Sequence, residues 1–447
     1  MTGTLDRVTD FALNLSAQEM PDSAKEAAAL MMLDTMGILI ASGPMEAGVI
    51  ARDTAALLYA STDAAFSVPM MFDGRPVSMA GAAYAAATQT DNLDGHDGYN
   101  PTKGHIGVVV LPALISLGAH CPDLSGPEAL AAAITGYEIA GRAGLSLHAS
   151  VSDYHTSGAW NALGVVAMAA RMRRHTPDQF RQALGIAEYH GPRSQMMREI
   201  ANPTMLHDGS GWGAMVGISS AILAERGFTG APAITIEDAD VASFWDDLGQ
   251  FWQVEHQYVK PYPICRWAHA AIDGVRAVMM ENDLAHDQIR SIHINSFQEA
   301  ACLYGGMPNT TSQAQYSLPF AVAVQAIHGR IGVEHISGAG LSDPAVAELV
   351  SRIHVLEDAR HSARFPQGRW ADVTLKSTDG RVFESGDTHA RGGPEAPLSR
   401  GDVIAKYTEF AAPVAGLDCA DAIRAAILGW VEPTSRLSDL MPLVFDP

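Results

Sequence analysis

Helix-type patterning fills both ends of this chain and breaks only once, and that order limits the folds open to it. From the start to about residue 255, one helical segment follows another. Pro21-Asp22-Ser23 opens a helix through LMMLDTMGILIA that stops at Ser42-Gly43. Ser125-Gly126-Pro127-Glu128 has capping-box spacing with Pro in the first turn, and starts a helix through Tyr137-Glu138. Thr176-Pro177-Asp178-Gln179 repeats that arrangement ahead of FRQALGIAEYH. The Ala-rich runs AGAAYAAATQ and LAAAITGYEIAGRAG predict helices in close contact through small side chains.

The texture changes after about Phe251. Ile289-Arg290-Ser291-Ile292-His293-Ile294-Asn295 alternates apolar and polar residues, as a strand with one buried face does. Residues 371–376 and 378–383 predict a hairpin around Asp379-Gly380. A helical piece over 320–328 lies between them, and helix returns over 402–411 and 419–430. At 447 residues two domains are expected. The prediction is therefore a mainly α protein: a large helical domain from both chain ends (1–255 and 395–447) and a smaller α+β domain over 256–394.

Hydrophobic residues make up 47% of the chain and charged residues 18%, the balance of a well-buried globular enzyme. A formal charge of −21 argues against a nucleic-acid partner, because phosphate binding concentrates Lys and Arg. The same charge means that any site for an anion must be locally basic. Lysines are few, and two of them, Lys103 and Lys260, fall in the polar segments described next. Cys121, Cys265, Cys302 and Cys419 are far apart and form no metal or disulfide pattern. Residues 1–17 lack a charged start with an apolar run, so no signal peptide is expected. The apolar stretch 27–41 carries Asp34 and is too short to span a membrane. A cytoplasmic protein without a membrane partner is expected.

Three segments carry chemistry. In the first, from Asp91 to His105, ionisable residues crowd a Gly-rich loop between apolar helices. A carboxylate there, Asp94 or Asp97, can orient a histidine that exchanges protons near neutral pH. The competing uses are a solvated turn, or a divalent ion held by Asp91, Asp94, His96, Asp97 and His105. The spacing lacks the helical zinc pattern, so no metal is expected. In the second segment, His155 stands at a helix entrance, where free backbone N–H groups attract anions. The third, Lys260-Pro261-Tyr262-Pro263-Ile264-Cys265-Arg266-Trp267-Ala268-His269, sets Lys260, Arg266 and His269 beside the Tyr262 hydroxyl, a set suited to carboxylates. Its alternative is a linker with surface charges. His207, with Arg193 or Arg198, can add a basic wall.

Together these segments resemble the MmgE/PrpD family, which includes 2-methylcitrate dehydratase, cis-aconitate decarboxylase and iminodisuccinate epimerase. The resemblance runs in order through DTMGILIASG, NLDGHDGYN…KGHIGVVVLPAL, DYHTSGAWNALGVVAMAAR, LHDGSGWGAMVGISSAILAERGFTGAP, KPYPICRWAHAAIDGV, QYSLPFAVA and GGPEAPLS. It implies a helical domain, an α+β lid, a cleft between them, a homodimer, and no metal or organic cofactor. By position, Asp94, His105 and His155 correspond to catalytic residues. Lys103, Lys260, Tyr262, Arg266, His269 and His207 correspond to substrate-binding positions. The expected activity is a dehydratase-type lyase that removes a proton alpha to a carboxylate of a small di- or tricarboxylic acid. An epimerase of a dicarboxylate such as iminodisuccinate, or a cis-aconitate-type decarboxylase, is the alternative; a non-catalytic metabolite-binding relative is a remote one. Gly98, Thr204 and Phe320 depart from functional side chains that relatives often carry, and Ile106 replaces the usual proline.

Overall fold

The computed structural model describes residues 3–446 and is mainly α-helical, with a small sheet. Helices cover both ends of the chain, and the periodic segments take the expected form. The apolar run after Asp22 becomes the buried helix Asp22–Ser42, and the C-terminal pieces become Arg400–Ala415 and Leu417–Leu428. Their hydrophobic faces share one core with the helices Met79–Asp91, Gly107–Gly118, Gly126–Ser150, Gly158–Met172 and Ser210–Glu225. The Ala-rich helices do approach closely. A Cβ on Gly164 would lie 2.5 Å from the Gly136 carbonyl oxygen, so Gly158–Met172 touches the backbone of Gly126–Ser150.

Capping is part expected and part altered. Thr176 and Gln179 form the full reciprocal box, with N–H to side-chain oxygen distances of 3.2 and 2.9 Å. At Ser125 only half forms: its hydroxyl oxygen accepts from the Glu128 N–H, while the Glu128 carboxylate turns away to Arg171 at 3.0 Å. An ion pair with a neighbouring helix outcompetes the local cap there.

A second hydrophobic core is built almost wholly from residues 262–390. It lies around a five-stranded sheet. Ile353–Glu357 pairs parallel with Ile289–Ser296, which pairs antiparallel with Trp370–Ser377; Val382–Glu384 and Thr388–His389 pair with that same strand. The Asp-Gly turn forms with Gly380 at φ +90°, but the returning strand starts at Val382 rather than at 378, because Thr378 N–H bonds instead to the Gln288 carbonyl. Helix His269–Glu281 packs on the sheet, where Gly274 lets Val373 approach.

Two stretches stitch the cores together. Tyr258 bridges Gly98 through paired backbone bonds of 2.8 and 3.1 Å, and Val259 N–H bonds to the Gly392 carbonyl. No single helix among the described residues is long and apolar enough to cross a membrane. The four cysteines are free.

Candidate active site

The loop from Asp91 to His105 is not a solvated turn: residues 91–100 are all buried, as is His105. Helix Met79–Asp91 delivers its start and helix Gly107–Gly118 takes its end. Between them the chain adopts left-handed conformations at Asp94 (φ +53°) and Lys103 (φ +56°), and His207 on a facing loop does the same (φ +45°). Such strain costs about 1–3 kcal/mol per residue and persists where surrounding contacts over-determine it. Lys406, from the helix Arg400–Ala415, supplies one such contact: its ammonium donates to the Gly95 carbonyl at 2.6 Å and pairs with buried Asp34 at 2.6 Å.

A narrow cavity lies where this loop meets the second core. It is lined by Asp94, Lys103, His105, Tyr154, Asp208, Tyr258, Lys260, Cys265, Arg266, Tyr316 and Arg369, with Met196, Ile200 and Trp267 as apolar walls. Its volume of about 20 Å³ holds roughly one water molecule.

His105 is fixed by its surroundings. Its Nδ1 lies 2.6 Å from the Asp97 carbonyl, which assigns the proton to Nδ1 and leaves the Nε2 lone pair free. Nε2 lies 3.6 Å from Asp208 Oδ2. Burial, helped by the Lys260 ammonium, pushes the His105 pKa down to about 3, so the ring is neutral. Asp208 is held in turn: its Oδ1 accepts from the Ser157 N–H at 3.1 Å and hydroxyl at 2.6 Å. Burial works against this carboxylate, and the Ser157 hydroxyl and N–H work to keep it ionised. Ser157 also accepts from the His105 backbone N–H at 2.9 Å, so one hydroxyl positions both partners.

Behind His105, Asp97 accepts from the Tyr137 hydroxyl at 2.5 Å and from the Gly107 N–H at 3.1 Å. Burial raises its pKa to about 7 despite those donors. His96 packs edge-on against His105 with ring centres 4.6 Å apart, and burial lowers its pKa to about 3. Asp91, His96 and Asp97 therefore stand behind the cavity wall, and the carboxylates and histidines of this loop do not converge on one point as the competing metal use would need. Among the described residues, the three acidic and histidine side chains close enough to share an ion are Asp358 and His361, at the short helix Ala359–Ser362, and Asp372, on the strand Trp370–Ser377. Arg360 already pairs with both of those carboxylates.

The cavity is strongly basic for so acidic a protein. Lys260 is fully buried and donates to the Asp94 carbonyl at 3.0 Å and to the Asp94 carboxylate. Arg266 lies over the Tyr258 ring at 4.6 Å and donates to the carbonyls of Arg391 and Ala390. Burial lowers its pKa to about 10, so it stays charged. Lys103 lies 4.5 Å over the Tyr154 ring, whose hydroxyl donates to the Lys103 carbonyl. Arg369 is 1% exposed and comes from the strand-bearing region.

Of the residues singled out in the sequence, Asp94, Lys103, His105, Lys260 and Arg266 meet here. The others stand elsewhere. His155 is half-buried outside the cavity, paired through its backbone with Gln195, while its neighbour Tyr154 points in. Tyr262 bonds to Asp273 at 2.8 Å and receives Arg391 at 2.9 Å, and His269 donates to the Ile264 carbonyl; both brace the crossing segment. The whole of 262–269 is buried, so that segment is no exposed linker. His207 faces an open groove, with its ring 5.6 Å from that of Tyr316. The departures are explained too. A Cβ on Gly98 would lie 2.3 Å from the Tyr258 hydroxyl and 2.8 Å from His105 Nδ1, so glycine is what lets those groups meet. Thr204 is away from the cavity, bonding to Glu199. Phe320 is core, while Tyr316, one turn earlier, lines the cavity.

Sequence reasoning missed Asp208, Tyr154, Tyr258, Tyr316 and Arg369. Asp208 had a signal, since it follows His207 directly and precedes the helix Ser210–Glu225; Arg369 had none.

The family model of the MmgE/PrpD N-terminal domain matches residues 6–244, and that of the MmgE/PrpD C-terminal domain matches 262–431. No curated protein sequence matches the chain. The two domain matches together span nearly all of it, and the break between them falls on the crossing segment that carries Tyr258 and Lys260. The chain belongs to the MmgE/PrpD family.

Proposed function

We propose that this chain is a cofactor-independent, dehydratase-type lyase that removes a proton alpha to a carboxylate of a small di- or tricarboxylic acid. The family includes dehydratases and related enzymes, which supports an enzyme of this general kind. The observation that carries the specific reading is the His105 imidazole, locked neutral with Nε2 free, inside a cavity carrying four cationic side chains.

In this reading His105 Nε2 takes the alpha proton. The imidazolium that forms is stabilised by Asp208, whose carboxylate Ser157 holds in place. Lys103, Lys260, Arg266 and Arg369 make the cavity basic, which favours substrate carboxylates and stabilises the enolate-like charge that builds up. Asp94 holds Lys260 and keeps the buried ammonium compensated. Tyr316 gives a proton to the departing hydroxyl. Burial, ahead of Asp94 and Asp208, keeps its pKa well above the ordinary value, so it carries that proton throughout the working pH range. His155, expected as the second proton carrier, acts in this reading only on the approach to the site.

Epimerisation is the second reading, and Cys265 favours it. Burial raises the pKa of this cavity thiol to about 12, so it is a protonated group on the cavity, able in this reading to return a proton. Decarboxylation uses the same cations but needs no base. We also read the chain as a homodimer, because Ile50, Leu206 and Trp212 stay 49%, 73% and 48% exposed around one groove; sedimentation at micromolar concentration tests this.

The functional experiment is proton NMR in deuterated water with citrate, methylcitrate, aconitate, malate, tartrate and aminodicarboxylates. Loss of an alpha-proton signal with a new olefinic signal supports the lyase. Exchange without an olefin turns the assignment to epimerase. No exchange in any compound rejects the proton-transfer reading.

A further inference from the structure

The four cations of the cavity are not equivalent. Lys260 is committed to Asp94, through both its carbonyl and its carboxylate. The two terminal nitrogens of Arg266 are committed to the carbonyls of Arg391 and Ala390, at 2.5 and 3.0 Å, and only its buried Nε makes no bond among the described residues. Lys103 is different: its ammonium has no hydrogen bond or ion pair among the described residues, only the Tyr154 ring beneath it. Arg369 uses Nη1 on the carbonyls of Pro366 and Gly368, while Nε is buried without a partner and Nη2 makes no bond among the described residues. Both residues line the cavity, one from each side, and the Arg369 charge is close enough to add to burial in lowering the Lys103 pKa. Two like charges brought together in a closed site, each with donors to spare, are arranged for anions that are not part of the protein.

Charge balance agrees with this donor count. Lys103, Lys260, Arg266 and Arg369 face Asp94 and Asp208, with His105 neutral, which leaves an excess of two positive charges. Two carboxylates neutralise that excess, and a third would be buried without a counter-charge.

We propose that Lys103 and Arg369 are the paired carboxylate receptors of this site and restrict it to short dicarboxylates, excluding tricarboxylates. The proposal rests on the reading of the cavity as a carboxylic-acid site, and it narrows the substrate class within that reading. Because the two cations come from opposite sides, the dianion also relieves their repulsion and favours the closed cavity.

Calorimetric titration tests this without turnover, using succinate as the dicarboxylate probe and tricarballylate as the tricarboxylate. The full-length protein is expected to bind succinate at least tenfold more tightly than tricarballylate. Lys103→Met and Arg369→Met are each expected to weaken succinate on the order of 10- to 100-fold, as loss of a charge-assisted hydrogen bond does. Lys103→Arg should restore most of the loss, and Lys376→Met, on the exposed face of the sheet, should change nothing. Tricarballylate binding as tightly as succinate to the unmodified protein overturns the proposal without recourse to any variant. So does unchanged succinate affinity in correctly folded Lys103→Met and Arg369→Met. Succinate binding that needs both residues, combined with no proton exchange in NMR, keeps this proposal and rejects the lyase.

Discussion

Replacing Lys406 with Met perturbs a buried contact that ties the helix Arg400–Ala415 to the loop that carries Asp94 and His105. Its ammonium is 2.6 Å from Asp34 Oδ1 and 2.6 Å from the Gly95 carbonyl, and the two side chains are 7% and 0% exposed. Removing one partner of a buried ion pair costs about 3–5 kcal/mol, because the other charge is left uncompensated. The Gly95 carbonyl, also orphaned, adds about 1–3 kcal/mol. The sum is an upper limit, since Asp34 can escape by taking up a proton. Burial already raises its pKa against the pull of Lys406 and Lys260, and losing Lys406 raises it further. The sign follows: the folded variant keeps a proton that the unfolded chain releases above about pH 4, so its stability falls as pH rises from there. Urea unfolding of Lys406→Met should therefore show a loss of about 3–5 kcal/mol at pH 7.5, shrinking towards pH 5. The double variant Asp34→Leu, Lys406→Met should recover most of it, because an apolar pair in place of a buried ion pair is near neutral. A loss below about 1 kcal/mol at pH 7.5, or a double variant no better than the single, would refute the reasoning.

Gly98→Ala forces Tyr258 and His105 apart by up to about 1 Å, and such misplacement costs on the order of 100-fold in turnover; wild-type rates in the NMR assay would show that the close approach is not needed. Because the His105 pKa is pushed down to about 3, the base stays neutral and working as pH falls through 6.5 and fails only near pH 3. A kcat/KM profile whose acid limb fell at 6–7 and vanished in His105→Gln would contradict this. Tyr316→Phe should lower elimination by roughly 10²- to 10⁴-fold while alpha-proton exchange continues; equal loss of both would assign Tyr316 to the base side of the reaction. Thr176→Ala removes a fully formed capping box far from the cavity, so it should cost about 0.5–2 kcal/mol in urea unfolding without changing KM.

Some of the cavity was legible because it is local. Asp94, Lys103 and His105 fall in one twelve-residue polar loop, and Lys260 and Arg266 in one proline-pinned segment. Ionisable residues crowded between apolar helices need a reason, and the reason survives folding. Side-chain direction was less accessible. Tyr154 and His155 are adjacent, yet the Tyr154–Met196 and Thr156–Ser194 backbone bonds turn the tyrosine inward and leave the histidine outside. Tyr316 and Phe320 differ by one turn, but Ser317 caps the helix Leu318–His328, so Tyr316 stays ahead of it on the cavity and Phe320 rotates into the core.

Taken alone, the amino-acid sequence determined the class of elements, the helix–sheet–helix order and the family, because period and motif are properties of neighbouring residues. Tertiary structure alone decided which distant groups meet. Lys406 reaches Gly95 across 311 residues, and Arg369 and Asp208 join His105 from separate elements. No local pattern encodes such a meeting. It arises when two cores pack against a shared crossing segment, and the burial that results sets the charge state of His105 and holds Lys103 and Arg369 together.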